Sequence, residues 1–435
     1  MKIGIIGGTR GLGKWIASFL KEKGCQITIT SRDDVSGNAV SKKLGVKYSP
    51  DNQKVAGESD IVIISVPIES TESVIKQVAP HMSKGSLLMD VTSVKEKPAL
   101  LMQEYLAEGA YFLPSHPMFG PRIRSLEGQV IVLTPLQESK WFETVFKFLE
   151  EQKARVLVTT PEKHDEMMSV VQVLTHFAYI SVSSAIKKLN LDIKESRKFA
   201  SPIYNLMLDI ISRIVAQNPY LVYSIQTQTD YAYQAREIFM ETVNELNDML
   251  INHNQMDFVD AMSSAAKNMD DIEAALGRSD KVISALNQEI SALKESINSE
   301  VLLRHIYSDK IHYGILKEIS PDFVTLVSGK KTLKLKIANI EVLTPSQVQD
   351  WKLDNLKQHE YHISVIFPSH CNPKIIASAI SNLEGVINTS VMDIYQGKQI
   401  DENQVSITFS YKVLETRFVK EVESLLKGFG AIIRD

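Results

Sequence analysis

Short, unbroken apolar runs alternate with helix-patterned stretches in the first part of the chain. The runs are Lys2–Ile6, Gln26–Thr30, Asp60–Val66, Ser86–Val91 and Ala110–Pro114. The stretch after the first run places apolar residues at helical spacing, namely Trp15, Ile16, Phe19 and Leu20. Continuous apolar strands that alternate with helices are typical of a parallel sheet covered on both faces. The pattern therefore predicts an α/β domain in which Ala110–Pro114 is the last strand of the sheet.

A glycine-rich turn, Gly7–Gly13, joins the first apolar run to the first helix. Backbone amides at a helix start in this setting bind the pyrophosphate of a dinucleotide. In the frame that starts at Gly8, the middle glycine of G-x-G-x-x-G falls on Arg10, with Gly11 beside it. The turn predicts a Rossmann-type dinucleotide-binding domain over residues 1–160. Its candidate cofactor contacts are Gly8, Thr9, Arg10, Gly11, Leu12 and Gly13 in the turn, and Ser65, Val66 and Pro67 where the third run ends in a proline turn.

The second run ends in Ser31-Arg32-Asp33, which bears on the choice of cofactor. A site for NAD usually has an acidic residue here for the ribose hydroxyls, whereas arginine suits the 2′-phosphate of NADP. Ser31 and Arg32 favour NADP, and the Thr9 hydroxyl is a further candidate contact. Asp33, one position later, keeps NAD open, and a solvated surface charge is the alternative for Arg32.

A histidine, His116, follows the fifth run within Ser115–Pro121. Open α/β sheets bind ligands at the carboxyl ends of their strands. A neutral imidazole held there between two prolines is well placed to take a proton from a substrate. Ser93 and Lys95 follow the fourth run and belong to the same edge. The structural alternatives are a strand-end histidine and, for Ser93, the cap of the next helix.

Helical spacing dominates from Thr160-Pro161, a cap followed by proline at the first helical position, to about residue 297. We expect an all-helical domain over residues 161–297 that forms the other wall of the cleft and a dimer interface. His176 lies between Leu174 and Phe177, which is also compatible with a core histidine.

Arg213 shares a helical stripe with Leu206 and Ile210, so we expect it on the apolar side of its helix. A buried guanidinium requires an anionic partner. Asp209, four residues earlier, is one candidate partner, and a substrate carboxylate is the other.

The last third of the chain has a different pattern. Alternating residues over 298–346, with a turn at Ser328–Lys331, predict a small β-rich module built from hairpins. Gln347–Glu360 is expected to be a polar link. Residues 360–435 follow the order strand, helix, strand, strand, helix, strand, which predicts a ferredoxin-like α+β domain.

Composition indicates a soluble cytoplasmic enzyme. The 435 residues include 48 basic and 52 acidic side chains, a net charge of −4, so neither broad nucleic-acid nor membrane affinity is expected. The two cysteines, Cys25 and Cys371, are far apart and imply no disulfide framework or metal site. We find no apolar run near the ~20 residues of a membrane span.

The ordered set of the glycine turn, Asp90–Lys95 and Ser115–Pro121 resembles the prephenate dehydrogenase family of tyrosine biosynthesis. The resemblance covers roughly residues 1–290 and includes Lys163–Met168, Leu174–Ala178 and Ser201–Pro219. It implies oxidative decarboxylation of prephenate to 4-hydroxyphenylpyruvate, with hydride transfer to NADP or NAD, in a homodimer. Arogenate as the substrate stays open, and so does a redox-sensing regulator that binds NADP without catalysis.

The resemblance also implies roles for individual residues. His116 matches the histidine that accepts the proton of the substrate 4-hydroxyl, and Ser93 matches a serine near it. His176 and Arg213 match substrate-binding residues, with Arg213 on a carboxylate, and Lys95 matches a lysine beside the cleft. Asn205 stands where some relatives have a further arginine.

The final module resembles two kinds of domain. Asp393–Lys398 and Val405–Phe409 are similar to the ferredoxin-fold anticodon-binding domain of phenylalanyl-tRNA synthetase β chains, and the ACT type of regulatory domain is the alternative. We expect feedback, with tyrosine as the effector, or assembly rather than RNA binding, since the module is not conspicuously basic.

Overall fold

The computed structural model describes residues 1–383, 385–397 and 400–434. The chain divides into two compact units, residues 1–283 and the residues from 284 onwards. The first unit contains an α/β part followed by a helical part, and the second contains two antiparallel sheets.

One eight-stranded sheet organises the α/β part, in the order β3-β2-β1-β4-β5-β6-β7-β8. Its strands are β1 Lys2–Ile6, β2 Gln26–Thr30, β3 Lys47–Ser49, β4 Ile61–Ile64, β5 Leu87–Asp90, β6 Tyr111–Pro117, β7 Val130–Leu133 and β8 Arg155–Val158. Its helices are α1 Gly11–Glu22, α2 Asp34–Leu44, α3 Asn52–Glu58, α4 Ile68–Val78, α5 Glu96–Tyr105 and α6 Lys140–Glu151, with a 3-10 turn at Ala79–His81. Apolar clusters on both faces of the sheet form the core, as the unbroken apolar strands predict.

The expectation that Ala110–Pro114 forms the last strand is wrong. Strand β6 continues to Pro117 and pairs antiparallel with β7, which is followed by β8. His116 therefore lies within a strand, opposite Val132, instead of just beyond one. Since β5 pairs with β6 only as far as Asp90 and Pro114, His116 still projects past the carboxyl end of β5.

Nearly all of the rest of the first unit is helical. The helices are α7 Pro161–Met168, α8 Thr175–Lys188, α9 Ile193–Ser196, α10 Pro202–Val215, α11 Pro219–Thr227, α12 Asp230–Ile251, α13 Gln255–Lys267 and α14 Ile272–Glu295, of which α14 continues into the second unit. A π-helical segment, Ser169–Leu174, joins α7 to α8, and a 3-10 turn occurs at Arg197–Phe199. Many large apolar side chains on these helices are exposed in the single chain, among them Val171, Ile203 and Met262.

By length and composition, the continuous stretch Pro161–Lys188 is apolar enough to cross a membrane, contrary to the sequence-based expectation of no such run. The same stretch carries His164 and Asp165, both buried in the α/β part through hydrogen bonds. The first turns of this stretch therefore make contacts inside the protein.

The second unit starts with a five-stranded antiparallel sheet, ordered β12-β11-β10-β9-β13. Its strands are β9 Glu300–His305, β10 Ile311–Ile319, β11 Phe323–Ser328, β12 Lys331–Lys336 and β13 Ile340–Val342, with a 3-10 turn at Ile337–Asn339. Leu293 of α14 packs into the core of this sheet. The expected polar link is instead mostly helix, α15 Pro345–Asn355, begun by a capping box between Thr344 and Gln347.

The final sheet has the order β15-β16-β14-β17, with helices against one face. Its elements are β14 His359–Pro368, α16 Pro373–Ser381, β15 Val386–Tyr395, β16 Gln404–Val413, α17 Phe418–Gly428 and β17 Ile432–Ile433. This arrangement confirms the ferredoxin-like prediction. Lys398, part of one motif used for the resemblance, lies outside the described residues.

Candidate functional site

The glycine turn brings two backbone segments closer than a side chain would allow. Gly7 has φ of 89°, and an added Cβ would lie 2.3 Å from the backbone oxygen of Ser65. At Gly8, a Cβ would lie 2.6 Å from a methyl carbon of Ile29. Gly13, in the first turn of α1, packs in the same way against the carbonyl of Gly7. These contacts hold the start of α1 against the ends of β1 and β4.

The start of α1 is open to an anion. Arg10 is the N-cap residue, in extended conformation, and its side chain does not cap the helix. Helix N-terminal amides without a capping side chain attract phosphate oxygens. Ser65, Val66 and Pro67 leave β4 beside this turn, and Pro67 precedes α4. The residues present therefore fit a dinucleotide.

At the end of β2, Ser31 and Arg32 are positioned beside the glycine turn. The Thr9 hydroxyl lies 3.4 Å from that of Ser31, and the Arg32 side chain is exposed. The Asp33 carboxylate caps α2, since it accepts a hydrogen bond from the Val35 amide at 3.1 Å and another from the Ser36 hydroxyl. Its hydrogen bond from Ser36 also lowers the pKa of Asp33. This carboxylate is thus already used by the helix start.

His116 is the centre of a buried hydrogen-bonded chain. Its Nδ1 lies 2.8 Å from Nε2 of His164, and Nδ1 of His164 lies 2.7 Å from Oδ1 of Asp165. All three residues are at most 3% exposed. Burial is the main cause that holds the pKa of His116 well below its ordinary 6.5, and the nearby Lys95 ammonium lowers it further. The imidazole is therefore neutral at neutral pH and can accept a proton.

Asp165 also organises the start of α5. Its two carboxylate oxygens accept hydrogen bonds from the amides of Lys95, at 2.8 Å, and Glu96, at 3.0 Å. A side chain from α7 thus caps a helix of the α/β part. The alternative reading of Ser93 as that cap is wrong, because the N-cap residue is Lys95 and the capping carboxylate comes from Asp165. Ser93 is half-buried just after β5 and does not cap α5.

Lys95, which the resemblance implies to be a substrate-binding lysine beside the cleft, lies inside the protein. Its side chain is fully buried, and its ammonium group forms an ion pair with Asp90. It also donates to the backbone oxygen of Ser115 at 2.8 Å and contacts the Thr92 hydroxyl at 3.3 Å. Burial lowers the pKa of Lys95, against the opposing effect of Asp90. This ion pair joins the ends of β5 and β6, one residue before His116.

The other ring nitrogen of His116 faces the helical part. Its Nε2 lies 3.5 Å from Nε2 of Gln172, in the π-helical segment. Such segments are frequent at functional sites, because the extra residue redirects side chains. The buried Oε1 of Gln172 and Nδ1 of His176 have no hydrogen-bond partner among the described residues. The unpaired Oε1 of Gln172, on a side chain that lies next to the neutral His116, is suited to a polar ligand.

A small apolar cluster closes this region between the α/β and helical parts. Its buried residues come from α4, the loop before α5, the π-helical segment, α11 and α12: Ile68, Val94, Val173, Ile225 and Ala232. A hydrogen bond of 2.9 Å from the Ser224 hydroxyl to Glu69 spans the same boundary. The walls around His116 are thereby held together.

Comparison with known proteins identifies this arrangement. Family models described as "Prephenate dehydrogenase, nucleotide-binding domain" and "Prephenate dehydrogenase, dimerization domain" match residues 16–158 and 160–264. The chain is 41% identical to a "Probable arogenate/prephenate dehydrogenase" of Methanocaldococcus jannaschii, over 98% of this chain and 97% of the relative. The chain belongs to the prephenate dehydrogenase family.

Two further relatives cover a smaller share of the chain. The T-protein of Haemophilus influenzae is 30% identical over 60% of this chain and 65% of its own length. The crystal structure of prephenate dehydrogenase from A. aeolicus, in complex with hydroxyphenyl propionate and NAD+, has a TM-score of 0.50 at 20% identity. The match covers 61% of this chain and 96% of that structure.

Arg213 does not lie on the apolar side of its helix, where its spacing from Leu206 and Ile210 predicts it. The buried stripe of α10 is formed by Leu208, Ile211 and Ile214, and Arg213 is exposed in the single chain. Asp209 pairs with Arg197 at 2.7 Å, so the predicted pairing with Arg213 is wrong. Asn205 also accepts a hydrogen bond from Arg197, at 2.9 Å. Helix α10 packs against α8, the helix that carries His176.

Sequence reasoning missed three residues of this site: His164, Asp165 and Gln172. A signal for the first two was available, because the sequence places Pro161, His164 and Asp165 on one side of α7, and all three are buried. Gln172 could not be found from spacing, because the π-helical segment shifts the helical register around it.

Proposed function

We propose that this protein oxidatively decarboxylates prephenate to 4-hydroxyphenylpyruvate, with hydride transfer to NADP+. The observation that carries the proposal is the neutral, buried His116, which is held at Nδ1 by His164 while its Nε2 faces the helical part. A general base must be unprotonated and must point at the proton that it removes. Both conditions are supported by this geometry.

Each residue then has a definite task. His116 accepts the proton of the 4-hydroxyl at Nε2, while Ser93 hydrogen-bonds the same hydroxyl. His176 and Arg213 hold the substrate from the helical part, with Arg213 on a carboxylate. NADP+, when bound, accepts the hydride that leaves the hydroxyl-bearing carbon. Loss of the ring carboxylate as carbon dioxide then makes the ring aromatic, so orientation and proton transfer are the main demands on the protein.

The preference for NADP+ is supported by the end of β2. Arg32 is exposed beside the Thr9–Ser31 contact, and the carboxylate of Asp33 already caps α2. An aspartate used in this way is poorly placed to bind ribose hydroxyls, whereas Arg32 can bind a 2′-phosphate. The residues proposed to hold the cofactor are those of the glycine turn, Ser31, Arg32 and Ser65–Pro67.

Arogenate is the second candidate substrate, because the M. jannaschii relative is named for both. Arogenate carries an ammonium group where prephenate carries a keto group. Steady-state assays of both substrates, each with NAD+ and NADP+, test the proposal. Greater kcat/KM for prephenate with NADP+ supports it, and greater kcat/KM for arogenate or for NAD+ overturns the corresponding part. Absence of turnover with all four pairs would favour the redox-sensing regulator.

A homodimer is supported by the exposed apolar residues of the helical part, which corresponds to the dimerization domain of the family. We further propose tyrosine as an effector that binds in the second unit. A cavity of about 610 Å³ lies there between β9, α15 and the start of α17. Its lining combines apolar side chains such as Leu353 and Val386 with the charged Glu300, Lys352 and Arg417. This combination suits an amino acid with an aromatic side chain.

A further inference from the structure

The hydrogen-bonded chain from Asp165 to His116 has a fixed direction. An ionised carboxylate can only accept hydrogen bonds. His164 therefore carries its proton on Nδ1, which donates to Asp165, and presents a bare Nε2. That Nε2 accepts from Nδ1 of His116, which leaves Nε2 of His116 as the bare nitrogen. The two amides that donate to Asp165, from Lys95 and Glu96, hold its carboxylate in the required orientation.

We propose that His164 and Asp165 are positioning residues for the reaction: they fix the tautomer of His116 that accepts the substrate proton, and His164 takes up the positive charge that results. The inference rests on the proposed function, because it requires His116 to be the proton acceptor. His164 and Asp165 act through His116 and do not touch the substrate.

In the proposed proton transfers, each bond that breaks is matched by a bond that forms. The substrate O–H bond breaks as Nε2–H forms on His116, and the released electron pair forms a C=O bond while hydride leaves the same carbon. The Nδ1–H bond of His116 breaks as Nε2–H forms on His164. Loss of carbon dioxide leaves its bonding electrons in the ring and returns the C=O pair to oxygen as a phenolate. The phenolate takes the proton back, and both histidines return to their starting tautomers.

The electrostatic surroundings explain why the charge moves to His164. A positive charge on His116 would be buried near the Lys95 ammonium of α5. On His164 the same charge lies next to the Asp165 carboxylate, at 2.7 Å. Three further ionisable groups lie here. Asp90 of β5 is paired with Lys95. Burial and then the charge of Asp165 raise the pKa of Glu96, and the charge of Glu96 is the main cause that raises the pKa of Tyr231.

Three variants of the full-length protein test this proposal: His164→Gln, Asp165→Asn and the double variant. The asparagine can donate to Nδ1 of His164, which reverses the chain and puts the proton of His116 on Nε2. Loss of the correct tautomer in a comparable triad lowers kcat by on the order of 10⁴-fold, so we expect Asp165→Asn to lower kcat by at least ~10²-fold. Because both residues act through one histidine, the double variant should lose no more than the larger single loss.

A second readout separates positioning from a structural role. His164→Gln removes the group that takes up the positive charge next to Asp165, so the protonated state of His116 loses its stabilisation and the acidic limb of the kcat/KM profile should move to lower pH. The NADP+ dissociation constant should stay within about twofold of wild type. Glu166→Gln is the matched control, since Glu166 is the exposed neighbour that pairs with Lys163 at 2.9 Å. It should keep both kcat and the pH profile.

The outcomes distinguish this inference from the proposed function. If His164→Gln and Asp165→Asn keep the wild-type kcat and acidic limb while His116→Asn is inactive, the inference is overturned and His116 remains the base. If both variants lose only thermal stability, with unchanged kcat per folded molecule, their role is structural and the inference again fails. Wild-type turnover by His116→Asn would instead overturn the proposed function.

Discussion

Asp165, on the first helix of the dimerisation domain, accepts a hydrogen bond of 2.8 Å from the amide of Lys95, at the start of α5. The side chain of Lys95 points the other way, into a buried ion pair with Asp90. The hydrogen bond between residues 95 and 165 therefore connects the nucleotide-binding domain to the dimerisation domain directly behind His116. The geometry around His116 thus depends on contacts that neither domain can make alone.

His116→Asn tests the assignment of the base. Asparagine keeps much of the shape but cannot accept and release a proton as imidazole does. We expect kcat to fall by roughly 10²–10⁴-fold, the usual contribution of one general base. Binding of NADPH, followed by its own fluorescence, should be nearly unchanged. Turnover close to wild type would rule out this role.

Arg213→Gln tests the carboxylate anchor. Loss of a charge-assisted contact should weaken substrate binding by roughly 1.5–3 kcal/mol and raise KM for prephenate, with little effect on KM for the cofactor. Arg197→Gln is the matched control, because Arg197 is a neighbouring arginine that already pairs with Asp209. Equal effects of the two variants on KM would contradict a specific role for Arg213.

Arg32→Ala tests cofactor choice. The ratio of kcat/KM with NADP+ to that with NAD+ should fall, since the neutral side chain cannot bind the 2′-phosphate. Lys43→Ala removes an exposed positive charge from the nearby helix α2 and should leave the ratio unchanged. A wild-type enzyme that already prefers NAD+ would refute the assignment of Arg32.

Lys95→Met tests the buried ion pair. It leaves the Asp90 carboxylate buried without its cation, which should lower the free energy of unfolding by roughly 3–5 kcal/mol in urea titrations. The double variant Lys95→Met/Asp90→Asn should be less destabilised than Lys95→Met, because no buried charge remains. A double variant that is less stable than the single one would show that the pairing itself is not the source of the stability.

Gln349→Trp tests the effector proposal in the intact chain. Gln349 is an exposed residue of the cavity lining, so the larger side chain should fill the cavity without disturbing the core. We expect wild-type kcat and a loss of tyrosine sensitivity. Asn355→Trp, on the same helix but outside the lining, should retain that sensitivity. Unchanged inhibition of Gln349→Trp would place tyrosine in the active site as a product analogue.

The fold could be predicted largely from local pattern. The strand-turn-helix start, the helical middle and the ferredoxin-like end each appear as periodicity, caps and glycine positions, which depend on residues close in sequence. Two predicted elements differ from the structure. Strand β6 extended past Pro114 because β7 offers an antiparallel partner, and α15 replaced a polar link because of the capping box at Thr344.

The sequence by itself determined which residues stand at the carboxyl edge of the sheet, because strand ends and glycine turns are local features. Ser93 and the glycine turn are where that reasoning puts them, and His116 lies past the carboxyl end of β5, although within β6 instead of beyond a last strand. Only the tertiary structure decided their surroundings. It placed His164 and Asp165 behind His116, buried Lys95 against Asp90, and exposed Arg213 in the single chain. These outcomes depend on which helix packs against which strand. Contacts between residues as far apart as 95 and 165 are set by packing and by the burial of charge. The local spacing of residues along the sequence does not determine either of these.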